Sequence, residues 1–483
     1  MMQILRSPFL LLLPALALGA CTVGPNYAGP PRTLADTAAP AGFKRGGPLA
    51  SPAAPGVAAW WTQLNDPLLT QLETQALAAN PNIAVATARL RQARASLRLE
   101  RANQAPSANA SAAYLHARIP GFDFGSASSN SDNGASAVDV YNVGFDASWE
   151  VDLFGGRRRS VEAARAQAEA AEANVADAQV SLTADVAQAY VNLRDVQRRI
   201  ALSREAARMQ QQMLTLTQQR FGQGAASDLD VERLRGQVEA TNGQIVPLQA
   251  DLESYLNALA VLTGQEPGAL DARLTPVSAV PLPPAAVAVG DPAALLQRRP
   301  DIRAAERQLA QRTAQIGVAD AARFPRLNIL GLIGLGGTRL SDISPDKLVG
   351  LAAPMLQWNF LDFGRNRARI NQAEGQRDEA AAQYRGTVLG ALKDAEDALS
   401  RFGHRRETVA SLLRSKASAD RAADLMQQRF RAGTATLIDT LDAERQRVAA
   451  EQNLSAGTAG LTGDFIALQK ALGLGWGAAS PEA

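Results

Sequence analysis

The chain has 483 residues, with 49 Lys and Arg against 47 Asp and Glu, so its net charge is only +2. Because the two signs are interleaved along the sequence, this composition argues against a surface dedicated to nucleic acid. Two histidines and one cysteine are too few for a metal-ligand cluster or a nucleophilic triad, so we expect no enzyme, no cofactor and no metal site. Hydrophobic residues make up 46% but aromatics only 5%, and the abundant Ala favours long, closely packed helices.

Residues 1–20 have the features of an export signal. Arg6 precedes an apolar stretch, residues 9–18, that is too short to span a bilayer. The LGAC ending at residues 18–21 resembles the bacterial lipobox, in which the cysteine becomes the acylated first residue. We therefore predict lipidation of Cys21; the alternative is an ordinary signal peptide followed by an incidental cysteine. The next residue is not Asp, which fits sorting to the outer membrane, and we expect no transmembrane helix because no other stretch reaches 18 apolar residues.

Residues 21–59 are rich in Pro, Gly and Ala and have no helical or strand period, which predicts an extended tether. Asp66 followed by Pro67 then predicts the start of a helix, with Asp as N-cap and Pro in the first turn. The same device at Asn80 and Pro81 ends this helix and begins a second one, which runs to about residue 105.

Residues 141–149 alternate apolar and polar side chains, the two-residue period of a half-buried strand. Residues 110–118 can pair with this strand across the Gly/Ser/Asn-rich loop 121–136. The second half of the chain offers residues 327–335 and 348–358. We therefore predict two β-hairpins, at about 107–150 and 326–358.

Two very long helical stretches follow these hairpins. No proline occurs from 157 to 246 or from 355 to 480, and each stretch breaks once, at FGQG (221–224) and at FRAG (430–433). The first arm would measure about 96 Å as one helix, so it must bury its apolar stripe against other arms, as in a coiled coil. The predicted helical hairpins span about 157–264 and 364–473.

The order of these elements reflects an internal duplication. NPNI at 80–83 returns as RPDI at 299–302, an offset of 219, and WEVDLFG at 149–155 returns as WNFLDFG at 358–364, an offset of 209. The offset changes once, by 10, as one insertion in a loop would produce. We predict two large structural halves: repeat 1 (60–264), a Pro-rich connector (265–292), repeat 2 (293–473) and a tail (474–483).

Several motifs in this order resemble one family, the TolC-like outer-membrane efflux factors of RND-type tripartite pumps, in its lipoprotein branch. The motifs are CTVGPNY at 21–27, WW at 60–61, DPL at 66–68, RRPDIRAAE at 298–306, FPRL at 324–327 and GTATLIDTLDA at 433–443. They extend over almost the whole mature chain.

The resemblance implies an α/β membrane protein that assembles as a homotrimer in outer-membrane lipid, lipid-anchored and extending into the periplasm. Each protomer would give its two β-hairpins to one 12-stranded β-barrel and its coiled-coil-like helical hairpins to a periplasmic α-barrel tunnel. Four strands alone cannot close a membrane barrel, since about eight is the smallest number known. The strand count alone leaves two or three copies open, and the resemblance implies three.

Acidic residues follow both helix breaks. The simplest interpretation of Asp228 and Asp230, and of Asp439 and Asp442, is that they are helix-start acids that offset the helix dipole. The resemblance places the family's periplasmic gate on Asp439 and Asp442, with a corresponding acid at Asp230. Ile438 would add an apolar ring beside them.

The chain also departs from the family pattern near this gate. A Tyr often stands at the position of Phe430, and in some members an Arg stands at that of Ala435, where they tie neighbouring hairpins together. That part of the family's lock is not expected here.

We predict a passive exit duct for small molecules. The energy for export would come from an inner-membrane RND-type transporter, and a periplasmic adaptor (membrane fusion) protein would contact the tips of the helical hairpins. The alternative is a structural periplasmic coiled-coil lipoprotein without a channel. An adaptor would need one helical hairpin inserted in β-domains, whereas this chain has two in tandem.

A Gly-rich run, Gly331 to Gly337, lacks the Lys-Ser/Thr of a phosphate loop and is interpreted as part of a hairpin.

Overall fold

The computed structural model describes residues 22–30, 42–46, 50–51, 53, 55–56, 58–120 and 135–477. Cys21 and most of the loop 121–136 lie outside these residues. The helices are α1 (Pro67–Ala79), α2 (Pro81–Ala102), α3 (Gly156–Gly222), α4 (Asp228–Leu262), α5 (Asp271–Leu274), α6 (Pro292–Arg298), α7 (Pro300–Ala321), α8 (Arg365–Arg431) and α9 (Leu437–Ala471). The strands are β1 (Ala50–Ser51), β2 (Ser107–Pro120), β3 (Ala135–Val151), β4 (Val287–Ala288), β5 (Arg326–Gly337) and β6 (Leu348–Gln357).

The chain forms two compact units. The first comprises Met1–Pro31, Leu90–Ala170 and Ala305–Gln383, and it contains the four long strands. The second comprises Arg32–Arg89, Ala171–Ala304 and Tyr384–Ala483, and it contains both helix turns of the long hairpins.

Both predicted β-hairpins are present in the first unit, in one antiparallel sheet of order β2-β3-β5-β6. The strand registers of the two hairpins are related by the same two offsets as the duplicated motifs. Ser107 pairs with Ser148 in the first hairpin and Arg326 with Gln357 in the second, which are the same pair moved by 219 and 209 residues. The insertion that separates the two offsets therefore lies in the loop of the hairpin, because the paired strands have kept their alignment.

One glycine of the predicted hairpin 326–358 lies where two neighbouring strands of the sheet approach closely. Gly334 in β5 pairs with Gly144 in β3, and a Cβ on Gly144 would lie 2.8 Å from the Gly334 Cα. Neither position has room for a side chain, because the two backbones approach too closely at this point.

Helix α1 starts where the local sequence predicts. The Asp66 side chain accepts hydrogen bonds from the Leu68 and Leu69 amides, 2.9 and 3.0 Å away, and so caps α1. Helices α3 and α8 both have 67 residues, and α4 and α9 both have 35. Helix α4 continues through Pro247, beyond the end of the proline-free stretch.

In the second unit, Trp60 is buried and packs edge-on against Trp61 and Phe465, with ring centroids 6.0 Å apart in each case. Helix α3 buries a long series of alanines along its length, as its composition predicts. Such small side chains let neighbouring helices approach closely, so dispersion contacts add up over a long interface.

The predicted tether is held to the body of the protein in its described parts. In the first unit the Val23 amide donates to the Phe154 carbonyl at 3.1 Å. In the second unit the Lys44 and Arg45 amides donate to the Glu396 carboxylate at 2.8 Å, and β1 pairs in parallel with β4. The composition of this segment did not reveal these bonds, because each of them joins residues far apart in the sequence.

None of the helices in the described ranges combines the length and the apolar character that crossing a membrane requires.

Candidate functional site

The two long helical hairpins turn in the same way. After α3, the Ala225 amide donates to the Arg220 carbonyl at 2.8 Å, and Gly224 adopts a φ of 73°. After α8, the Thr434 amide donates to the Arg429 carbonyl at 2.8 Å, and Gly433 adopts a φ of 72°. This is the glycine-terminated helix end, in which the left-handed glycine lets the following amide return to the last turn.

A capping box then starts the returning helix in each repeat. At α9, the Thr436 hydroxyl donates to Asp439 Oδ2 at 2.6 Å, and the Asp439 amide donates to Thr436 Oγ1 at 3.1 Å. At α4, the Ser227 hydroxyl donates to Asp230 Oδ2 at 2.7 Å, and the Asp230 amide returns the bond at 3.2 Å. Asp230 and Asp439 are 209 residues apart and occupy equivalent positions in the two repeats.

These bonds lower the pKa of the Asp439 carboxyl, through the Thr436 hydroxyl first and the Thr436 amide second. The Ser227 hydroxyl and amide lower the pKa of Asp230 in the same order. Each carboxylate therefore stays ionised at neutral pH. Both Thr436 donors reach the same oxygen of Asp439, Oδ2, which leaves Oδ1 outside the capping box.

Asp442 lies one turn further along α9 and has different partners. Arg445 donates to its Oδ1 at 2.6 Å and Gln446 to its Oδ2 at 2.7 Å. The Arg445 bond is the main reason that the Asp442 pKa is lowered. The equivalent position in repeat 1 is Arg233, so one hairpin carries an anion where the other carries a cation.

Ile438 is exposed beside these carboxylates, whereas its neighbours Leu437 and Leu441 pack against a buried cluster of Leu214, Val231, Leu234 and Val238. This cluster joins α3, α4 and α9 within the second unit. It fixes the start of α9, and so it fixes which side of that helix carries Ile438 and Asp439.

The two departures from the family pattern lie at the same turn. The Arg220 guanidinium lies 5.9 Å from the centroid of the Phe430 ring, a cation–π contact between the two hairpins that needs no tyrosine hydroxyl. Ala435 is half-buried. The sequence patterns did not point to Thr436, Ser227 or Arg445. A Ser or Thr three residues before an Asp at a predicted helix start is the signal that indicates the first two.

The segment that follows Cys21 contacts the start of α3 in the first unit. The buried Arg159 guanidinium donates to the Val23 and Gly24 carbonyls, at 3.1 and 3.0 Å, and to Asn26 Oδ1 at 2.7 Å. Thr22 packs so closely on Gly155 that a Cβ there would lie 2.6 Å from the Thr22 methyl group. Residue 22 is therefore held at the junction of β3 and α3.

In the ranges that the structure describes, no three His, Cys, Asp or Glu side chains are grouped so that they could hold a metal ion.

Comparison with known proteins agrees with this architecture. The family model of the outer membrane efflux proteins matches residues 72–265 and 292–474. The outer membrane protein OprJ of Pseudomonas aeruginosa is 31% identical over 474 residues, covering 96% of this chain and 95% of OprJ. Nodulation protein T of Rhizobium leguminosarum bv. trifolii is 31% identical over 464 residues, covering 96% of each chain. The solved outer-membrane channel OprN has a TM-score of 0.85 and 36% identity, over 94% of this chain and 100% of OprN.

A duplicated chain with two hairpins in one sheet and two long helical hairpins is thus the protomer of an outer-membrane channel. The chain belongs to the outer membrane efflux protein family. Members of this family are trimeric outer-membrane components of tripartite efflux pumps, which also contain a periplasmic adaptor and an inner-membrane transporter. The relatives are channel proteins rather than enzymes. The protein is accordingly the exit duct of an efflux system, located in the outer membrane and extending into the periplasm.

Proposed function

We propose that the two helix turns, residues 222–227 and 431–436, form the periplasmic gate of this exit duct, with Asp439 as its principal charge. The observation that supports this most directly is the pair of matched capping boxes, which hold Asp230 and Asp439 in equivalent positions. In a trimer, Asp439 is present three times, and the hairpins bring the three copies together when they converge.

Electrostatics favour Asp439 over Asp442 as the dominant site. Asp442 is paired with a neighbouring cation, Arg445, so its charge is offset within its own helix. Asp439 accepts from neutral Thr436 donors, which stabilise its charge without cancelling it. A ring of Asp439 carboxylates should therefore attract cations, and a multivalent cation should bridge several of them and block the mouth.

Ile438 would add an apolar ring next to the carboxylates. Because it is exposed while Leu437 and Leu441 are packed inward, its side chain is available to contact another hairpin. An apolar constriction next to a charged ring excludes water from the closed mouth. Asp230 would supply the equivalent charge from the first hairpin.

Lipidation of Cys21 is part of the same proposal. The support is that Thr22, the residue after it, is held at the junction of β3 and α3 by Gly155 and by the bonds of Arg159 to the next residues. An acyl chain on Cys21 would thus enter the bilayer close to the end of the sheet.

The gate is tested by single-channel current in planar bilayers, with a multivalent cation added on the periplasmic side. We expect wild-type channels to be blocked, Asp439→Asn to lose most of the block, and Asp439→Asn with Asp442→Asn to lose slightly more together with some cation selectivity. Asp228→Asn, a helix-start acid two residues before Asp230, is the matched control and should keep the block. Block that survives in the double variant would leave both residues as helix-start acids.

The same recording separates a duct from a structural lipoprotein, because the latter would give no channel current. Arg445→Gln adds a test of direction. It frees the Asp442 charge, so it should strengthen the block rather than weaken it.

A further inference from the structure

One face of the four-stranded sheet changes character between the two hairpins, and the strand registers show where. Asp146 of β3 pairs with Asn109 of β2 on one side and with Leu332 of β5 on the other. Leu332 pairs in turn with Leu351 of β6. Because directly paired residues lie on the same face of a sheet, these four side chains form one row. The row is polar in the first hairpin and apolar in the second.

The rest of this face has the same division. In the first hairpin its side chains bond to each other across the strands. Asn109 donates to Asp146 at 3.2 Å, and the hydroxyls of Ser107 and Ser148 are 2.9 Å apart. In the second hairpin the same face carries apolar side chains that are between 37% and 61% exposed. These residues, which we call the apolar patch, are Leu330, Leu332, Val349, Leu351 and Met355.

The internal duplication shows that the apolar patch belongs to the second hairpin alone. The offset of 219 relates β2 to β5, and the offset of 209 relates β3 to β6. At three equivalent positions on this face, a polar residue of the first hairpin is an apolar residue in the second. The equivalent pairs are Ser111 and Leu330, Asn142 and Leu351, and Asp146 and Met355. The two hairpins therefore share a backbone arrangement and differ in the chemistry of this face.

This is the face that we expect to line the lumen of the duct. A charged side chain such as Asp146 is costly in lipid, and the opposite face of β3 carries Phe145 and Trp149. Strands of outer-membrane channels turn their apolar side chains to lipid and their polar side chains to the lumen. The apolar patch is continuous with the polar half of the same face, so it meets the contents of the duct and not the membrane.

We propose that the apolar patch is a contact surface for cargo inside the duct, and that it fits small molecules with an apolar surface rather than inorganic ions. Apolar side chains in water gain free energy when another apolar surface covers them. An inorganic ion keeps its hydration shell and gains nothing from such a contact. The inference rests on the exit-duct function, to which it adds the chemical class of the cargo, and it does not depend on the gate at the helix turns.

Single-channel current in planar bilayers tests this with two probes of equal charge. Tetraphenylphosphonium and tetramethylammonium are both monovalent cations, but only the first has a large apolar surface. We expect the wild-type current to be half-blocked by tetraphenylphosphonium at a lower concentration than by tetramethylammonium. The variant Leu330→Ser/Leu351→Asn takes its residues from the equivalent positions of the first hairpin. It should raise the half-blocking concentration of tetraphenylphosphonium about tenfold, because two apolar contacts are lost, and leave that of tetramethylammonium unchanged.

The matched control is Ile329→Ala. It also takes the residue of its equivalent position, Ala110, but it lies on the opposite face, where Ile329 pairs with Trp149. This variant should keep the wild-type response to both probes. Asp439→Asn examines the gate separately and should leave the ratio of the two half-blocking concentrations unchanged. Equal half-blocking concentrations in the wild type, or equal effects of Ile329→Ala and the double variant, would overturn the proposal.

A second measurement needs no polar substitution in the sheet. Leu332→Cys should react with a charged methanethiosulfonate reagent and change the current, whereas Ile333→Cys, on the opposite face, should not. Tetraphenylphosphonium at twice its half-blocking concentration should slow the reaction of Leu332→Cys about threefold, and tetramethylammonium at that concentration should not. The wild type reports any contribution of Cys21. An unslowed reaction, or a reaction of Ile333→Cys alone, would contradict the proposed contact surface.

Discussion

Tyr190 in α3 donates its hydroxyl to Asp66 Oδ2 at 2.6 Å, while the other oxygen of Asp66 caps α1. One carboxylate thus ties the start of a short helix to the middle of a long one within the second unit. Tyr190 is buried, and burial, followed by the bond to Asp66, raises its pKa to about 12.

Tyr190→Phe should lower the free energy of unfolding by about 2 kcal/mol, the range for a hydrogen bond to a charged group. Chemical denaturation of the purified protein, followed by circular dichroism, measures this. Tyr255→Phe is the matched control in the same unit and should change stability less. An equal loss in both variants would show that the bond to Asp66 contributes nothing specific.

The same bond predicts a dependence on alkaline pH. Because the folded state raises the Tyr190 pKa above its ordinary value of 10.0, its stabilising contribution is complete below pH 10 and is lost as the pH rises towards 12. The stability difference between wild type and Tyr190→Phe should therefore shrink above pH 10. A difference that grows with pH would contradict this assignment.

Removal of the proposed anchor should not release the protein. Cys21→Ser is expected to abolish labelling with palmitate but to leave the protein in the outer-membrane fraction. An acyl chain contributes about 0.8 kcal/mol per buried methylene, whereas we expect the exposed apolar residues of the sheet to provide a second, larger membrane contact. Recovery of the variant in the soluble periplasm would show that the sheet does not hold the protein in the membrane.

The two faces of β3 should differ in their tolerance of charge. Phe145 is 62% exposed on the apolar face that we expect to meet lipid, so Phe145→Arg should cost about 2–4 kcal/mol near the middle of the membrane. Asp146, on the polar face expected to line the lumen, accepts from Asn109 at 3.2 Å, and Asp146→Arg should cost much less. Trimer yield after expression is the measurement, and equal losses would refute the assignment of faces.

Thr436→Val should move the pH dependence of cation block. The Thr436 hydroxyl is the main cause of the lowered Asp439 pKa, so its removal should raise that pKa towards the ordinary value of about 3.9. As pH falls, block should then be lost at a higher pH than in wild type. Ser227→Ala removes the same bond to Asp230 and should shift the midpoint less, and a downward shift in Thr436→Val would count against Asp439 as the blocking site.

Much of the fold follows from local sequence. Several elements depend only on residues a few positions apart, so the sequence alone predicts them. They are the helix starts at Asp66 and Asn80, the helix breaks at Gly224 and Gly433, and the period-two strand before Trp149. The duplication was equally visible, because two offsets describe it. Asp230 and Asp439 were recognisable as helix-start acids, and their family role came from resemblance.

Only the tertiary structure decided which distant groups meet. It paired β3 with β5, placed the Arg159 guanidinium on the backbone of residues 23 and 24, and packed Leu437 and Leu441 against the cluster around Leu234. It also placed the Arg445 side chain on Asp442, which distinguishes that carboxylate from Asp439. Such contacts depend on backbone direction and side-chain conformation over long separations, for which a sequence pattern of period 2 or 3.6 holds no information.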